Sequence, residues 1–179
     1  MTGVHSALCL WIVLEVGLQI RERAQVFHHN THHQQTLVGF ILLGALLARA
    51  LQHTPWTMPG DTQNLATLFM AFGLALRLFS ILWLGRFFRL TIVVQDSHRV
   101  VNSGPYRWIR HPSYTGFLIA CIGYGVSTAN WASLMGLMIS CLIGFHYRIK
   151  AEEQALQEGL GEDYRAYMQH TWRLFPGLY

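Results

Sequence analysis

Five apolar segments separated by short polar stretches constrain the fold of this chain more than any other feature. They are Val4–Ile20, Thr36–Leu51, Leu65–Leu84, Tyr114–Val126 and Trp131–Tyr147. The third is long enough to cross a bilayer unaided, because a spanning helix needs roughly 20 residues at about 1.5 Å of rise per residue. Since 52% of the residues are apolar and only 12% are charged, the composition excludes an ordinary soluble domain and predicts an all-α integral membrane protein.

The fourth and fifth segments are short, and the residues between them, 127–130, are uncharged and typical of a tight turn. We expect a helical hairpin there, although apolar runs of about 10 to 14 residues also fit a single bent helix or a re-entrant pair. The sequence shows no internal repeat and no linker. We therefore expect one membrane domain over residues 1–179, with three spans in 1–85 and the hairpin and polar appendages in 86–179.

Basic residues predict the orientation of the chain. They follow the first, third and fifth apolar segments, at Arg21, Arg23, Arg86, Arg89, Arg99, Arg107, Arg110, Arg148, Lys150, Arg165 and Arg173. The loop 52–64 and the turn near Asn130 contain neither Lys nor Arg. Five spans with the N-terminus outside and the C-terminus in the cytoplasm satisfy the positive-inside rule, and we expect a bacterial cytoplasmic membrane. The net charge of +4 then reflects topology and indicates no nucleic-acid partner.

Two polar stretches on the cytoplasmic side are expected to have structure of their own. Residues 91–101 place β-branched residues around a turn-like centre, which predicts a small hairpin that caps the bundle. The tail carries apolar and aromatic residues at helical spacing, which predicts an amphipathic helix interrupted near Gly159 and Gly161. The spaced residues are Leu156, Leu160, Tyr164 and Tyr167.

Two charged residues, Glu15 and Arg77, lie inside apolar segments at a comparable depth from the cytoplasmic side. A charge within the bilayer is costly unless it is paired or reaches the interface. We expect a structural ion pair between them or an Arg77 side chain that extends to the interface. A role in substrate binding is the third alternative.

The segment from Gly104 to Gly116 concentrates ionisable and aromatic residues at the start of the fourth apolar segment. It has the pattern Gly-Pro-Tyr-Arg-x-x-Arg-His-Pro-x-Tyr-x-Gly, and it is followed by Arg148-Ile149-x-x-Glu152-Glu153-x-x-Leu156, by Gly161-x-x-Tyr164-x-x-Tyr167 and by Pro176. Over residues 84–176 this combination resembles the isoprenylcysteine carboxyl methyltransferase family and its phospholipid methyltransferase relatives. The first two apolar segments match the family only in being apolar.

The resemblance implies an S-adenosylmethionine-dependent methyltransferase. Its donor site lies at the cytoplasmic face, partly covered by the C-terminal segment, and a lipophilic small-molecule or lipid acceptor enters from the bilayer. Carried over from the family, the donor-contacting residues are His111, Tyr114, Glu152 and Glu153. To these candidate donor-binding residues we add Tyr106, Arg107 and Arg110. The two arginines supply positive charge for the donor's carboxylate. The donor needs cations, hydrogen-bond acceptors and an aromatic wall, and these residue types supply all three.

The resemblance favours a lipophilic acceptor with a carboxylate, as in isoprenylcysteine carboxyl methylation, although the residues themselves leave the acceptor open. A carboxylate acceptor needs a cation to orient it, for which Arg173 or Arg148 is the candidate, and the loss of charge on methylation suits a water-poor site. An amine head group must first lose a proton, which is a task for Glu152 as a general base. Small thiols or phenols are further alternatives.

The histidine-rich stretch His28–His33 is the main competing feature. Histidines four positions apart on a helix can hold a metal, so a metal-binding membrane protein is the second hypothesis. The remaining histidines do not form the further clusters that a di-iron membrane enzyme needs, and we assign no metal ligands. A membrane scaffold that keeps the methyltransferase shape without the activity is the third hypothesis.

Overall fold

The computed structural model of the chain describes residues 2–23, 32–89 and 100–179. The helices in these ranges are α1 (Thr2–Arg23), α2 (His32–Leu51), α3 (Gln63–Leu84), α4 (Pro112–Ser127), α5 (Trp131–Leu160) and α6 (Glu162–Gln169), with short 3-10 turns at Gly85–Phe87 and Gly104–Arg107. The described residues contain isolated β-bridges but no strand, so the predicted helical class is confirmed. Residues 91–99 of the predicted hairpin and 28–31 of the histidine-rich stretch lie outside the described residues.

Apolar helices dominate the described part of the chain. Those long and apolar enough to cross a membrane are His32–Leu51, Gln63–Phe87 and Trp131–Leu160. A shorter apolar stretch, Gly3–Leu18, lies in α1, and α4 has 16 residues. Large apolar side chains face outward, with Leu46 68% and Leu82 69% exposed. Exposure of such apolar side chains is favourable in the hydrocarbon core of a bilayer and unfavourable in water. The chain is therefore a multi-pass integral membrane protein.

The short helix α4 lies at the centre of the bundle. It packs against α3 on one side and α5 on the other, while α2 packs on α5 and α1 on α3. Phe117, Leu118 and Cys121 of α4 share a buried cluster with Cys141 and Phe145 of α5. The fourth and fifth apolar segments thus form two packed helices joined by the short turn at residues 128–130.

Glycines allow α3 and α4 to approach closely. A Cβ atom on Gly73 would lie 2.4 Å from the backbone nitrogen of Ala120, and one on Gly116 would lie 2.6 Å from the backbone nitrogen of Arg77. A Cβ atom on Gly123 would likewise meet α3 backbone atoms at 2.7 Å. Real side chains do not tolerate contacts this short, so the final glycine of the motif, Gly116, has a packing function.

The structure differs from the sequence prediction at the end of α5. The tail helix that we expected as a separate element begins as a continuation of α5, which runs to Leu160 without a break. Residues 148–158 contain no Gly or Pro and are rich in strong helix formers, so nothing ends the helix at the membrane boundary. The interruption falls at Gly161, whose φ is 60°, and α6 follows it.

Glu15 and Arg77 form an ion pair within the bundle, as one of the sequence alternatives predicted. Nε and Nη2 of Arg77 donate to the two carboxylate oxygens of Glu15 at 2.6 and 2.9 Å. Nη1 donates to Oγ of Ser113 at 2.9 Å. The Arg77 side chain is 5% exposed and the Glu15 side chain 24%. The pair therefore links α1, α3 and the first turn of α4.

Glu15→Ala is expected to lower the free energy of unfolding by about 3–5 kcal/mol, because it leaves the buried Arg77 without its counter-ion. Thermal unfolding of the detergent-purified protein measures the change. The double variant Glu15→Ala/Arg77→Met should recover much of the loss, since it removes the uncompensated charge. Equal unfolding temperatures for Glu15→Ala and the wild type would show that the pair does not stabilise the bundle.

Candidate functional site

The loop before α4 and the segment after α6 run side by side at one end of the bundle. The backbone nitrogens of Arg110 and His111 donate to the carbonyl oxygens of Trp172 and Arg173, at 2.7 and 3.0 Å. The nitrogen of Trp172 donates to the oxygen of Trp108 at 3.0 Å. This pairing brings motif residues that are far apart in the sequence over the polar end of α5.

Tyr106 anchors the loop to the rest of the protein. Its side chain is buried, its hydroxyl donates to the carbonyl oxygen of Ser80 at 3.2 Å, and its carbonyl oxygen accepts from the hydroxyl of Tyr167 at 2.6 Å. Burial raises the pKa of the Tyr106 phenol, which stays protonated. The structure thus places this predicted donor-binding residue in contacts that join α3, the loop and α6.

Glu153 lies at the centre of the site, on the part of α5 beyond its apolar residues 131–147. The residue is 2% exposed. Its Oε1 accepts from Nε of Arg110 at 2.7 Å, and its Oε2 accepts from Nε of Arg173 at 2.9 Å. Two guanidinium groups therefore hold the buried carboxylate of Glu153.

His111 carries a buried nitrogen without a hydrogen-bond partner among the described residues. Its Nε2 lies 3.4 Å from Oε1 of Glu153, without the geometry of a hydrogen bond. The imidazole stacks on the ring of Tyr114, with centroids 5.4 Å apart and planes 7° from parallel. An unsatisfied buried polar group costs about 1–3 kcal/mol, so this nitrogen favours a ligand that completes its hydrogen bonding.

Tyr114 connects the Glu153 cluster to a second charged set. Its hydroxyl donates to Oε2 of Glu152 at 2.6 Å and accepts from Nε of Arg148 at 3.2 Å. Arg148 is buried, whereas the Glu152 side chain is 24% exposed. The Tyr114 ring also packs against Phe145, with centroids 4.9 Å apart. The tyrosine therefore lies between the imidazole of His111 and the apolar contact of α4 with α5.

A cavity of about 460 Å³ opens beside the ion pairs. We call it the C-terminal cavity, and its lining residues are Arg110, Met168, Gln169, His170, Thr171, Trp172, Arg173 and Tyr179. Nη1 of Arg110 also donates to the carbonyl oxygens of Met168, at 3.0 Å, and Thr171. Cofactor pockets typically measure about 300–1,000 Å³. The two guanidinium groups in its lining suit a ligand that carries an anionic group.

The structure brings most of the predicted site residues together. They are Arg110, His111, Tyr114, Arg148, Glu152, Glu153 and Arg173. Arg107 lies apart, because its guanidinium covers the exposed ring of Trp108 at 5.4 Å from the centroid. Sequence reasoning missed Tyr179, whose hydroxyl lies 3.3 Å from Nη1 of Arg173. No motif spacing marks that tyrosine.

Metal-ligand geometry is absent from the part of the chain that the structure describes. No three His, Cys, Asp or Glu side chains within residues 2–23, 32–89 and 100–179 are close enough to hold a metal ion. Residues His28 to Thr31 lie outside these ranges, so the metal hypothesis for that stretch stays a prediction.

Comparison with known proteins adds an independent finding. The profile of the isoprenylcysteine carboxyl methyltransferase (ICMT) family matches residues 65–158. The sequence is 32% identical over 85 residues to protein-S-isoprenylcysteine O-methyltransferase of Dictyostelium discoideum, which covers 48% of this chain and 36% of that protein. It is 42% identical over 72 residues to the Xenopus laevis protein of the same name, covering 40% and 25% of the two chains. It is also 32% identical over 106 residues to the probable protein-S-isoprenylcysteine O-methyltransferase of Oryza sativa subsp. indica. That match covers 58% of this chain and 56% of the rice protein.

A solved structure shares the fold. It is that of the eukaryotic intramembrane Ras methyltransferase ICMT, with a TM-score of 0.70 and 24% sequence identity, and the alignment covers 98% of this chain and 66% of that one. The chain spans between a quarter and just over half the length of the relatives named above. Those relatives are eukaryotic, so the expected bacterial membrane stays a prediction.

Proposed function

The chain belongs to the isoprenylcysteine carboxyl methyltransferase family, and we propose that it is an S-adenosylmethionine-dependent membrane methyltransferase that methylates the carboxylate of a lipidated cysteine. Residues 1–179 act as one domain. The observation that carries the proposal is a buried carboxylate, Glu153, held by Arg110 and Arg173. It lies beside Nε2 of His111, which has no hydrogen-bond partner within the described ranges. This cluster borders the C-terminal cavity at the polar end of the bundle.

We further propose five spans, with the N-terminus outside and the site at the cytoplasmic face. The loop 52–62 contacts the turn of the α4–α5 hairpin, because Thr57 bridges to Asn130 and the nitrogen of Trp131 donates to the oxygen of Trp56. Both stretches without Lys or Arg therefore lie at the same end of the bundle. The arginines of the site lie at the other end, which the positive-inside rule assigns to the cytoplasm.

The residues around the C-terminal cavity fit the amino-acid part of the donor. When bound, S-adenosylmethionine supplies a methyl group activated by a sulfonium. Arg110 and Arg173 would hold its carboxylate and Glu153 its ammonium group. His111 would provide a hydrogen bond through Nε2, which makes none with the residues that the structure describes.

Arg148 is our candidate for orienting the acceptor carboxylate. It is buried beside Tyr114 and Glu152, close to the apolar contact of α4 with α5, whereas Arg173 is held by Glu153 on the cavity side. A carboxylate nucleophile is already ionised and needs no base. Glu152 accepts the hydroxyl hydrogen of Tyr114 and is not required to remove a proton. Catalysis then depends on positioning and on exclusion of water, since the reaction removes charge.

His111→Ala is expected to weaken donor binding by roughly 10-fold or more, because a buried hydrogen bond to the ligand is lost. Calorimetric titration of the detergent-purified protein with S-adenosylmethionine measures the affinity. His53→Ala is the matched control, since His53 is exposed at the opposite end of the bundle. Failure of the folded wild type to bind the donor would overturn the proposal.

The acceptor is tested by methyl transfer from labelled donor to an N-acetylated S-prenylcysteine in detergent micelles. We expect methyl ester formation with this compound, no transfer to the same compound with an amidated carboxyl group, and none to phosphatidylethanolamine. Transfer to the lipid amine with none to the prenylcysteine would assign the chain to amine methylation and give Glu152 the part of a base.

A further inference from the structure

Tyr179 contacts Arg173 with both parts of its side chain. Its hydroxyl oxygen lies 3.3 Å from Nη1 of Arg173, and the guanidinium carbon lies 5.1 Å from the ring centroid. On its other side the hydroxyl lies 3.0 Å from Nδ1 of His146 on α5. Arg173 donates to the phenol oxygen, and the phenol hydrogen can be donated to Nδ1 of His146 in the tautomer whose Nδ1 carries no hydrogen. The three groups therefore form a consistent chain of hydrogen bonds.

The two arginines on Glu153 differ in how they are held. The Arg110 side chain is 8% exposed and has further bonds to carbonyl oxygens, whereas the Arg173 side chain is 34% exposed. A partly exposed arginine that pairs through one nitrogen keeps rotamer freedom, and water competes for its hydrogen bonds. Such an ion pair is weak unless its geometry is fixed. Tyr179 supplies a second fixed point, because it holds Nη1 while Glu153 holds Nε.

Tyr179 is itself fixed with respect to Arg173. The backbone nitrogens of Leu174 and Phe175 donate to the carbonyl oxygen of Tyr179 at 2.9 and 3.1 Å. The intervening turn contains Gly177 with a φ of 80°, a conformation that L side chains rarely adopt. The chain therefore folds back so that the tyrosine ring covers the guanidinium.

We propose that Tyr179 is a positioning residue that holds the Arg173 guanidinium over Glu153 and so completes the wall of the C-terminal cavity on the donor side. This inference rests on the proposed donor site. Its effect on the donor passes through Arg173, so the contribution of Tyr179 disappears when Arg173 is absent.

A double-mutant cycle in donor affinity tests the proposal. We expect Tyr179→Phe, which keeps the ring and loses the hydroxyl, to weaken S-adenosylmethionine binding about 5-fold in the wild-type background, in keeping with one exposed charge-assisted hydrogen bond. In the Arg173→Ala background the same change should have no further effect. KM for the donor should rise while kcat at saturating donor stays close to the wild-type value. Tyr147→Phe is the matched control, since Tyr147 is an exposed tyrosine adjacent to His146.

A second cycle separates failure of this inference from failure of the proposed function. The same four proteins are unfolded thermally without the donor, and the losses of stability from Tyr179→Phe and Arg173→Ala should be less than additive. Additive losses, or an equal effect of Tyr179→Phe on donor affinity in both backgrounds, would overturn the positioning role. A wild type that binds no donor but shows the non-additive loss of stability would reject the donor site and retain the Tyr179–Arg173 contact.

Discussion

Glu153→Gln is expected to weaken S-adenosylmethionine binding by about 100-fold and to lower the unfolding temperature at the same time. The substitution keeps the size of the side chain and one acceptor oxygen, but it removes the negative charge that Arg110 and Arg173 share. A charged hydrogen bond contributes about 1.5–3 kcal/mol, which corresponds to roughly 10- to 150-fold in affinity. Breaking a buried ion pair costs about 3–5 kcal/mol of stability, since Arg110 is left buried without a counter-ion.

Two controls separate the effects on binding and on stability. Glu158→Gln, on an exposed position of the same helix, should change the free energy of unfolding by no more than about 0.5 kcal/mol. Glu153→Gln/Arg110→Gln should recover much of the stability but not donor affinity, because the arginine that remains without a counter-ion, Arg173, is 34% exposed and can be hydrated. Calorimetric titration and thermal unfolding in detergent give both quantities. A Glu153→Gln protein that binds the donor with wild-type affinity would show that this carboxylate has no part in the donor site.

The helices could be predicted from the sequence because their signals are local. Apolar runs, the uncharged turn before α5 and the glycine that separates α5 from α6 are all visible in short windows. The sequence predicts a separate tail helix because the composition changes from apolar to polar after Tyr147, whereas in the structure α5 continues to Leu160. Composition changes where the membrane ends, whereas the helix ends only where a residue such as Gly161 breaks it.

The candidate site could be predicted only in outline. The motif indicated which residues belong together, but the pairing of Glu153 with two arginines depends on the backbone contact between the loop before α4 and the segment after α6. Arg107 and Arg110 are equally basic in the sequence. In the structure one covers Trp108 on the surface and the other is buried on Glu153. Only tertiary contacts distinguish the two arginines. Tyr179 likewise becomes a candidate only through its contact with Arg173 in the structure.

Gly116, the last glycine of the motif, lies near the candidate site but has a structural function, the close packing of α4 against α3. It follows Tyr114 by two positions and is the last residue of the motif. In the structure its Cα faces α3, where the backbone nitrogen of Arg77 and the carbonyl oxygen of Gly73 lie 2.6 Å from the position of a Cβ atom. Because backbone atoms cannot rotate away as a flexible side chain does, an added methyl group must separate the two helices.

Gly116→Ala is therefore expected to lower the free energy of unfolding by about 3 kcal/mol or more, at the upper end of the cost of overpacking a core. Thermal unfolding in detergent measures the loss. Gly39→Ala is the matched control, since a Cβ atom at Gly39 meets nothing within 4 Å and the helix gains about 0.5–1 kcal/mol from Ala in place of Gly. Donor affinity should also fall in Gly116→Ala, because α4 carries Tyr114 and follows His111 directly. A Gly116→Ala protein that keeps wild-type stability and still loses donor binding would place this glycine against the ligand instead of against α3.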